Sequence, residues 1–225
     1  MRLKVSIEFV ALIISISSLV LSSFVAYSTH FRSAKLKMLV GKEISFFAAP
    51  EYVDQTINWG STGFYIPVTF HNSGPNGGAI EEVRIVLEHK GTPSNNYDMT
   101  WNSFVQLHPE KDLQWKQKSV AHPFVVSAKS AVSEVVLFVW EKHTNNALEI
   151  LAGEYELKVF AWVARKSTKP KLTFTSNFRV SSEIAERYQH YMNKQSAQLI
   201  SLPLGDSSRS NTIISRAQVK DLYQT

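Results

Sequence analysis

The chain has no cysteine, so disulfides, thiolate zinc sites and thiol catalysis are excluded, and any folded domain must stand on packing alone. It has no Asn-x-Ser/Thr acceptor despite its many asparagines, which favours a bacterial source or a cytosolic domain. Seven histidines are present, but no H-E-x-x-H, H-x-H or D-x-D grouping accompanies them. His71 and His89 fall at strand ends, His108 and His122 beside prolines or turns, and His30, His143 and His190 in polar segments. There is also no G-x-S-x-G elbow for a hydrolase nucleophile. Gly74 to Gly78 is glycine-rich but leads into a strand, so no helix N-terminus waits there for a phosphate. The expectation is a chain without a catalytic residue, cofactor or metal site, and not an enzyme.

One-sided charge is scarce as well. Net charge is +5 over 225 residues, and between residues 35 and 180 there are 16 Lys and Arg against 14 Asp and Glu. That balance carries no nucleic-acid footprint.

What the chain does have is an apolar N-terminal run, Val5 to Tyr27, broken by one charge, Glu8. A membrane span needs about 20 apolar residues, so this run predicts a transmembrane helix over 5–27 and a single-pass membrane protein. A cleaved signal peptide is the competing reading. The run exceeds a signal h-region of about 7–15 residues and no A-x-A-like site follows, which favours an uncleaved signal-anchor. Glu8, Ala11, Ser15, Ser18, Ser22 and Ala26 recur at helical spacing and form one stripe of small or polar residues. Leu12, Ile13, Ile16, Leu19, Val20 and Phe24 are left for lipid. Small residues let membrane helices approach closely, so the stripe predicts pairing with a second copy or with another membrane helix.

Past a basic connector, the hydrophobic period changes to two. The apolar pieces Leu36 to Val40 and Ile44 to Ala48, divided by Gly41, Lys42 and Glu43, read together as the first strand, and Gly63 to His71, Ala79 to His89 and Tyr97 to Leu107 read as strands. So do Val120 to Ala128, Val135 to Trp140, Tyr155 to Val163 and Leu172 to Val180. Alternation places Phe64, Val68, Ile85, Val159, Phe174 and Phe178 in the core. About eight short strands, with no helix between them, predict a mainly β chain with one antiparallel β-sandwich over 35–180. Ser182 as N-cap, with Glu183 and Glu186 in the first turn, predicts a C-terminal helix over 182–201 ended by Pro203 and Gly205. Residues 202–225 read as a flexible tail.

The segment Phe64 to Leu87 reads F-x-x-P-V-T-F-H-N-S-G-x-x-x-G-A-x-x-x-V-x-I-V-L. It resembles the opening strand pair of bacterial immunoglobulin-like domains of the cell-adhesion-related and late-embryogenesis-abundant type. The resemblance implies an immunoglobulin-like sandwich and a binding role, and supplies no functional residue.

Aromatic residues give the remaining candidates. Trp101 and Trp140 lie in apolar strand contexts and read as core. Trp162 shares the polar face of its strand with Phe160, either beneath structural cover or exposed to a ligand. Lys111, Trp115, Lys116 and Lys118 fall in a predicted loop, Leu107 to Ser119. That loop either faces the lipid headgroups or tucks Trp115 into the sandwich. The sequence therefore points to a membrane-anchored, non-catalytic binding or scaffolding module, whose partners are the bilayer, another membrane helix and an unidentified protein. A glycan- or envelope-polymer-binding domain and an enzyme of unrecognised type are the alternatives. Lys and Arg flanking the helix favour a cytosolic sandwich, while the sandwich fold and the lack of cysteine lean to the other side.

Overall fold

The computed structural model describes residues 7–53, 56–92, 96–108, 114–143, 145–163 and 168–205. Helix α1 (Ile7–Ala26) runs into a wider π-turn, Tyr27–Phe31. Widening a helix frees carbonyls, and here the Ser28 and Thr29 hydroxyls both donate to the Val25 carbonyl, at 3.0 and 2.8 Å. Ile7–Thr29 is long and apolar enough to cross a membrane, and none of it is buried against the rest of the protein. Val5 and Ser6, the expected start of the span, lie outside the described residues.

The sandwich is built from β1 (Leu36–Val40), β2 (Glu43–Val53), β3 (Thr56–Asn72), β4 (Gly78–Ile80), β5 (Glu82–His89) and β6 (Asn96–His108). It continues with β7 (Gln114–Val120), β8 (Phe124–Val126), β9 (Ser130–Trp140), β10 (Gly153–Trp162) and β11 (Leu172–Val180), then α2 (Ser182–Asn193) and β12 (Ile200–Pro203). All pairings are antiparallel among the described residues. One layer has the order β11-β10-β5-β6 and the other β6-β9-β3-β2-β12, with β7 on the far edge of β6. Strand β6 serves both layers. Its Asn96–Thr100 half pairs with β5, and from Trp101 it pairs with β9, with a register shift between Trp101 and Ser103. A bulge bends a strand and raises its twist, which lets one strand turn the corner between two layers.

Strands β1 and β2 form one line along β3, interrupted at Gly41, whose N–H still reaches the Pro67 carbonyl at 2.7 Å. A Cβ on Gly41 would sit 3.0 Å from the Pro67 ring, so this close pass suits glycine. The core lies between the layers. Phe46, Phe64, Ile66 and Phe138 from one side meet Ile85, Leu87, Leu157 and Val159 from the other, all essentially unexposed. Burying each such side chain stabilises the fold by about 1.5–3 kcal/mol. The alternation holds at Phe64, Val68, Ile85, Val159 and Phe178; Phe174 is half-buried against the same core.

Several expected boundaries move. The run Ala79 to His89 divides at Glu81, whose N–H turns to the Trp162 carbonyl at 2.8 Å. The run 120–128 is broken: Val120 ends β7, and Phe124–Val126 is a strand of its own that pairs with β4 in a separate two-stranded sheet. Most of the predicted loop Leu107 to Ser119 is instead the β6–β7 hairpin, whose tip at 109–113 lies outside the described residues. The C-terminal helix is shorter than 182–201. Ser181 rather than Ser182 caps it, its hydroxyl accepting from the Ile184 N–H, and it ends at Asn193. Gln195 then takes φ 53°, the chain reverses, and Ile200, Leu202 and Leu204 turn inward in alternation. These residues are therefore part of the second layer rather than helix or tail: Ile200–Pro203 pairs with β2, and the Leu204 N–H donates to the Lys42 carbonyl at 2.7 Å. Residues 206–225 of the expected tail lie outside the described residues.

Helix α2 packs on β2 through Tyr188, which is 1% exposed. Its ring lies 5.5 Å from Phe46, and its hydroxyl bonds Thr62 Oγ1 at 2.7 Å. Burial pushes the Tyr188 phenol up to about 12, partly opposed by that hydrogen bond.

Candidate functional site

Three surfaces collect the residues singled out by sequence. On α1, Glu8, Ala11, Ser15, Ser18, Ser22 and Ala26 fall within an arc of about 80° at 100° per residue. Every residue of that helix is exposed, so none of the described residues covers the stripe.

Phe160 and Trp162 project from the outward face of β10, because Tyr155, Leu157, Val159 and Ala161 take the inward positions. Both are half-buried, on a face that also carries an ionic lattice from β5, β6 and β10. The Arg84 guanidinium sits 5.3 Å over the Trp162 ring while bonding Glu82 at 2.6 Å and lying 3.6 Å from Asp98. The hydrogen bond to Glu82 holds the Arg84 pKa above its ordinary value. Lys158 bridges Glu156 and Glu88 on the same face, and those two carboxylates raise its pKa. The two aromatics are thus neither free nor under a second layer; they are set into a charged sheet face.

Trp115 belongs to β7, not to a loop. Its ring lies 5.1 Å from Tyr65, which in turn stacks on Phe47 at 4.9 Å, a ladder across three strands on the outer face of the second layer. Burial raises the Tyr65 pKa. Beside it lies a largely apolar groove of about 380 Å³ walled by Pro67, Val105, Leu107, Trp115 and Val135. Lys118 stands at its edge, ion-paired to Glu134 at 2.7 Å, and Lys116 is exposed. Lys111 lies outside the described residues.

Sequence reasoning missed two features. One is the groove with the ladder beside it: the groove draws its walls from β3, β6, β7 and β9, and Phe47 and Tyr65 of the ladder sit at positions that alternation assigns to solvent. The other is a polar cleft of about 430 Å³ where β6 leaves β5 for β9, rimmed by Asn96, Asp98, Thr100, Asn102, Trp140 and Glu141. The even-numbered polar residues of β6 were the available signal. Trp101 and Trp140 pack against the core as expected while remaining half-buried.

The histidines do not converge. His89 is buried against Tyr155 at 4.7 Å and bonds Thr92 Oγ1 at 2.8 Å. His143 lies 3.1 Å from Glu51, which also accepts from the Lys142 N–H at 2.6 Å, so this carboxylate fastens a turn. Among the described residues no group of three or more His, Asp or Glu is arranged to hold a metal ion.

No family model and no curated protein sequence matches the chain. Among solved structures it is similar to an uncharacterised β-sandwich protein from Clostridium difficile 630, at 9% identity and TM-score 0.31, over 64% of this chain and 87% of that one. It is also similar to a Bacillus subtilis protein described as a lipoprotein, at 14% identity and TM-score 0.31, over 72% of this chain and 42% of that one. The chain spans under half the length of the Bacillus protein.

Proposed function

We propose that the chain is a membrane-anchored, non-catalytic binding or scaffolding module that works as one part of a larger membrane assembly. The observation that carries this reading is α1: a span-length apolar helix with no cover from the described residues, joined within a few residues to a sandwich. Such a surface requires lipid or another helix around it. The strand order supports an immunoglobulin-like arrangement, since β3 lies between the β1/β2 line and β9 while β5 lies beside β10, with β11 on the other side of β10. The apolar groove beside Trp115 is the favoured site for a protein partner, because the Phe160–Trp162 face already satisfies its charges internally.

The test is expression of the full chain in a bacterium, followed by alkaline washing of membranes and intact-mass measurement. The expected result is an uncleaved chain that resists alkali and leaves with detergent. Recovery of a soluble chain shortened near Ala26 overturns the anchor. A photocrosslinking residue in place of Leu107 should then trap a partner that one in place of Thr173 does not; equal trapping at both positions removes the groove from the proposal.

A glycan-binding role rests on the cleft along β6. Side-chain amides, carboxylates and a Trp edge suit a hydroxyl-rich ligand. Retardation in gels containing soluble polysaccharide, abolished by Asp98→Ala, is its signature; unchanged mobility rejects it.

A further inference from the structure

The residues joining α1 to the sandwich are bound into the fold rather than strung between two parts. The Asn76 side-chain amide donates to the Arg32 carbonyl at 2.6 Å, the Lys35 N–H donates to Asn72 Oδ1 at 3.1 Å, and the Ser73 N–H returns to the Lys35 carbonyl at 3.1 Å. Asn72 is fully buried, and its Nδ2 also donates to the carbonyls of Asn76, Val126 and Ser127. The Lys129 N–H reaches the Gly74 carbonyl at 3.2 Å. Two glycines permit the close fit: a Cβ on Gly74 would lie 2.6 Å from the Lys35 nitrogen, and one on Gly78 would lie 2.7 Å from both Ala34 and Leu36. The connector, the 72–78 turn and the 124–129 segment therefore form one collar.

The position of this collar follows from chain length. Arg32 is three positions beyond Thr29, where the apolar stretch ends, and three extended steps reach at most about 10 Å. The headgroup layer on each side of a bilayer is about 5–7 Å thick. With α1 in a membrane, the collar stands at the headgroups. Its charge is one-sided: residues 32–40, 72–80 and 121–130 contain Arg32, Lys35, Lys37 and Lys129 and no Asp or Glu. Val125, 63% exposed on the outward side of β8, adds an apolar contact next to Gly77.

We propose that this collar is a docking surface for anionic phospholipid headgroups, which seats the sandwich upright on the bilayer at a fixed angle. The inference rests on the anchor reading above. Continuity with the span and the unopposed cations commit it to lipid rather than to a protein partner.

The chain has no cysteine, so single variants Val125→Cys and Glu149→Cys can each carry one environment-sensitive fluorophore. Glu149 lies beyond the other end of β9, about 33 Å away along an 11-residue strand. The full chain is reconstituted into phosphatidylcholine vesicles with or without phosphatidylglycerol, with a headgroup-level spin-labelled lipid as quencher. The Val125 probe should be quenched, more strongly with phosphatidylglycerol, and the Glu149 probe in neither case. Changing exposed Lys35, Lys37 and Lys129 together to Gln should return the Val125 signal to its phosphatidylcholine level, since each cation near an anionic surface shifts the docked population about fivefold. Equal quenching at both positions, or a Val125 signal indifferent to lipid charge and to the triple variant, overturns the proposal. A chain that fails to float with vesicles after alkaline washing defeats the anchor and the docking together. One that floats with an unquenched Val125 probe defeats the docking alone.

Discussion

Removing the Tyr188 hydroxyl tests how the C-terminal helix is fastened. The phenol is 1% exposed and meets Thr62 Oγ1 at 2.7 Å, and Thr62 is itself fully buried. Tyr188→Phe leaves the Thr62 hydroxyl without its partner, which costs about 1–3 kcal/mol because a buried polar group keeps its desolvation penalty. Thr62→Val strands the phenol in the same way. The double variant Tyr188→Phe with Thr62→Val replaces both partners by apolar groups of similar shape and should recover to within about 1 kcal/mol of the natural chain. Tyr188→Ala also removes the ring from Phe46 and should cost about 3–5 kcal/mol. The assay is guanidinium unfolding of the full chain in mild detergent, followed by tryptophan fluorescence. Single variants whose losses simply add in the double variant refute a coupled buried pair, and a Tyr188→Ala loss below about 1 kcal/mol refutes docking of the helix.

Tyr155 and Tyr188 are both pushed up to about 12 by burial, whereas an unfolded phenol ionises near 10. Their contribution to stability is therefore intact below pH 10 and declines as pH rises toward 12; melting temperature should fall there together with a late tyrosinate absorbance change, and a flat profile contradicts it. Phe178→Ala should cost about 3–5 kcal/mol, since the ring is 5% exposed and stacks on Tyr155 at 5.2 Å, while Thr173→Ala on the outward face should cost under about 0.5 kcal/mol. Equal sensitivities in denaturant melts would remove the assigned register. Changing Ser15, Ser18 and Ser22 together to Leu should abolish crosslinked species on gels, whereas changing Ser17 and Ser23 likewise should leave them; identical behaviour reduces α1 to a tether.

The sandwich was legible because alternation is a local property: Phe64, Ile85, Val159 and Phe178 each sit in a strand whose own neighbours reveal which face is buried. The short C-terminal segment Ile200–Pro203 was not, since four residues carry too little period to separate a strand from the end of a helix, and what decides the matter is β2, far away in sequence. Gln114–Val120 misled for a related reason. It is an edge strand, paired on one side only, and edges tolerate the lysines that elsewhere signal a loop. The aromatic ladder Phe47–Tyr65–Trp115 and the Asn72 network escaped altogether. Each joins residues tens of positions apart, and only topology brings them within contact. Asn72 also bonds its own turn, accepting from the Gly74 N–H at 2.9 Å, as an asparagine before a turn glycine commonly does, but its hold on Lys35 leaves no trace in the local pattern.

The pairing of β12 with β2 has a consequence for how the molecule is made. Ser45 and Ser201, whose hydroxyls meet at 2.7 Å, lie 156 residues apart. At about 5–20 residues per second, on the order of ten to thirty seconds of translation separates the emergence of one from the other. Throughout that interval α1 is already out of the ribosome and β2 waits with an open edge, the kind of surface that recruits strands from other chains. On the anchor reading proposed above, a nascent chain held at a membrane by its first helix is kept apart from soluble neighbours but brought close to its own copies. Strand β12, the last of the described strands, is therefore also a seal against misassembly, and a stop codon a few residues before Ile200 should produce aggregates rather than a slightly shorter sandwich.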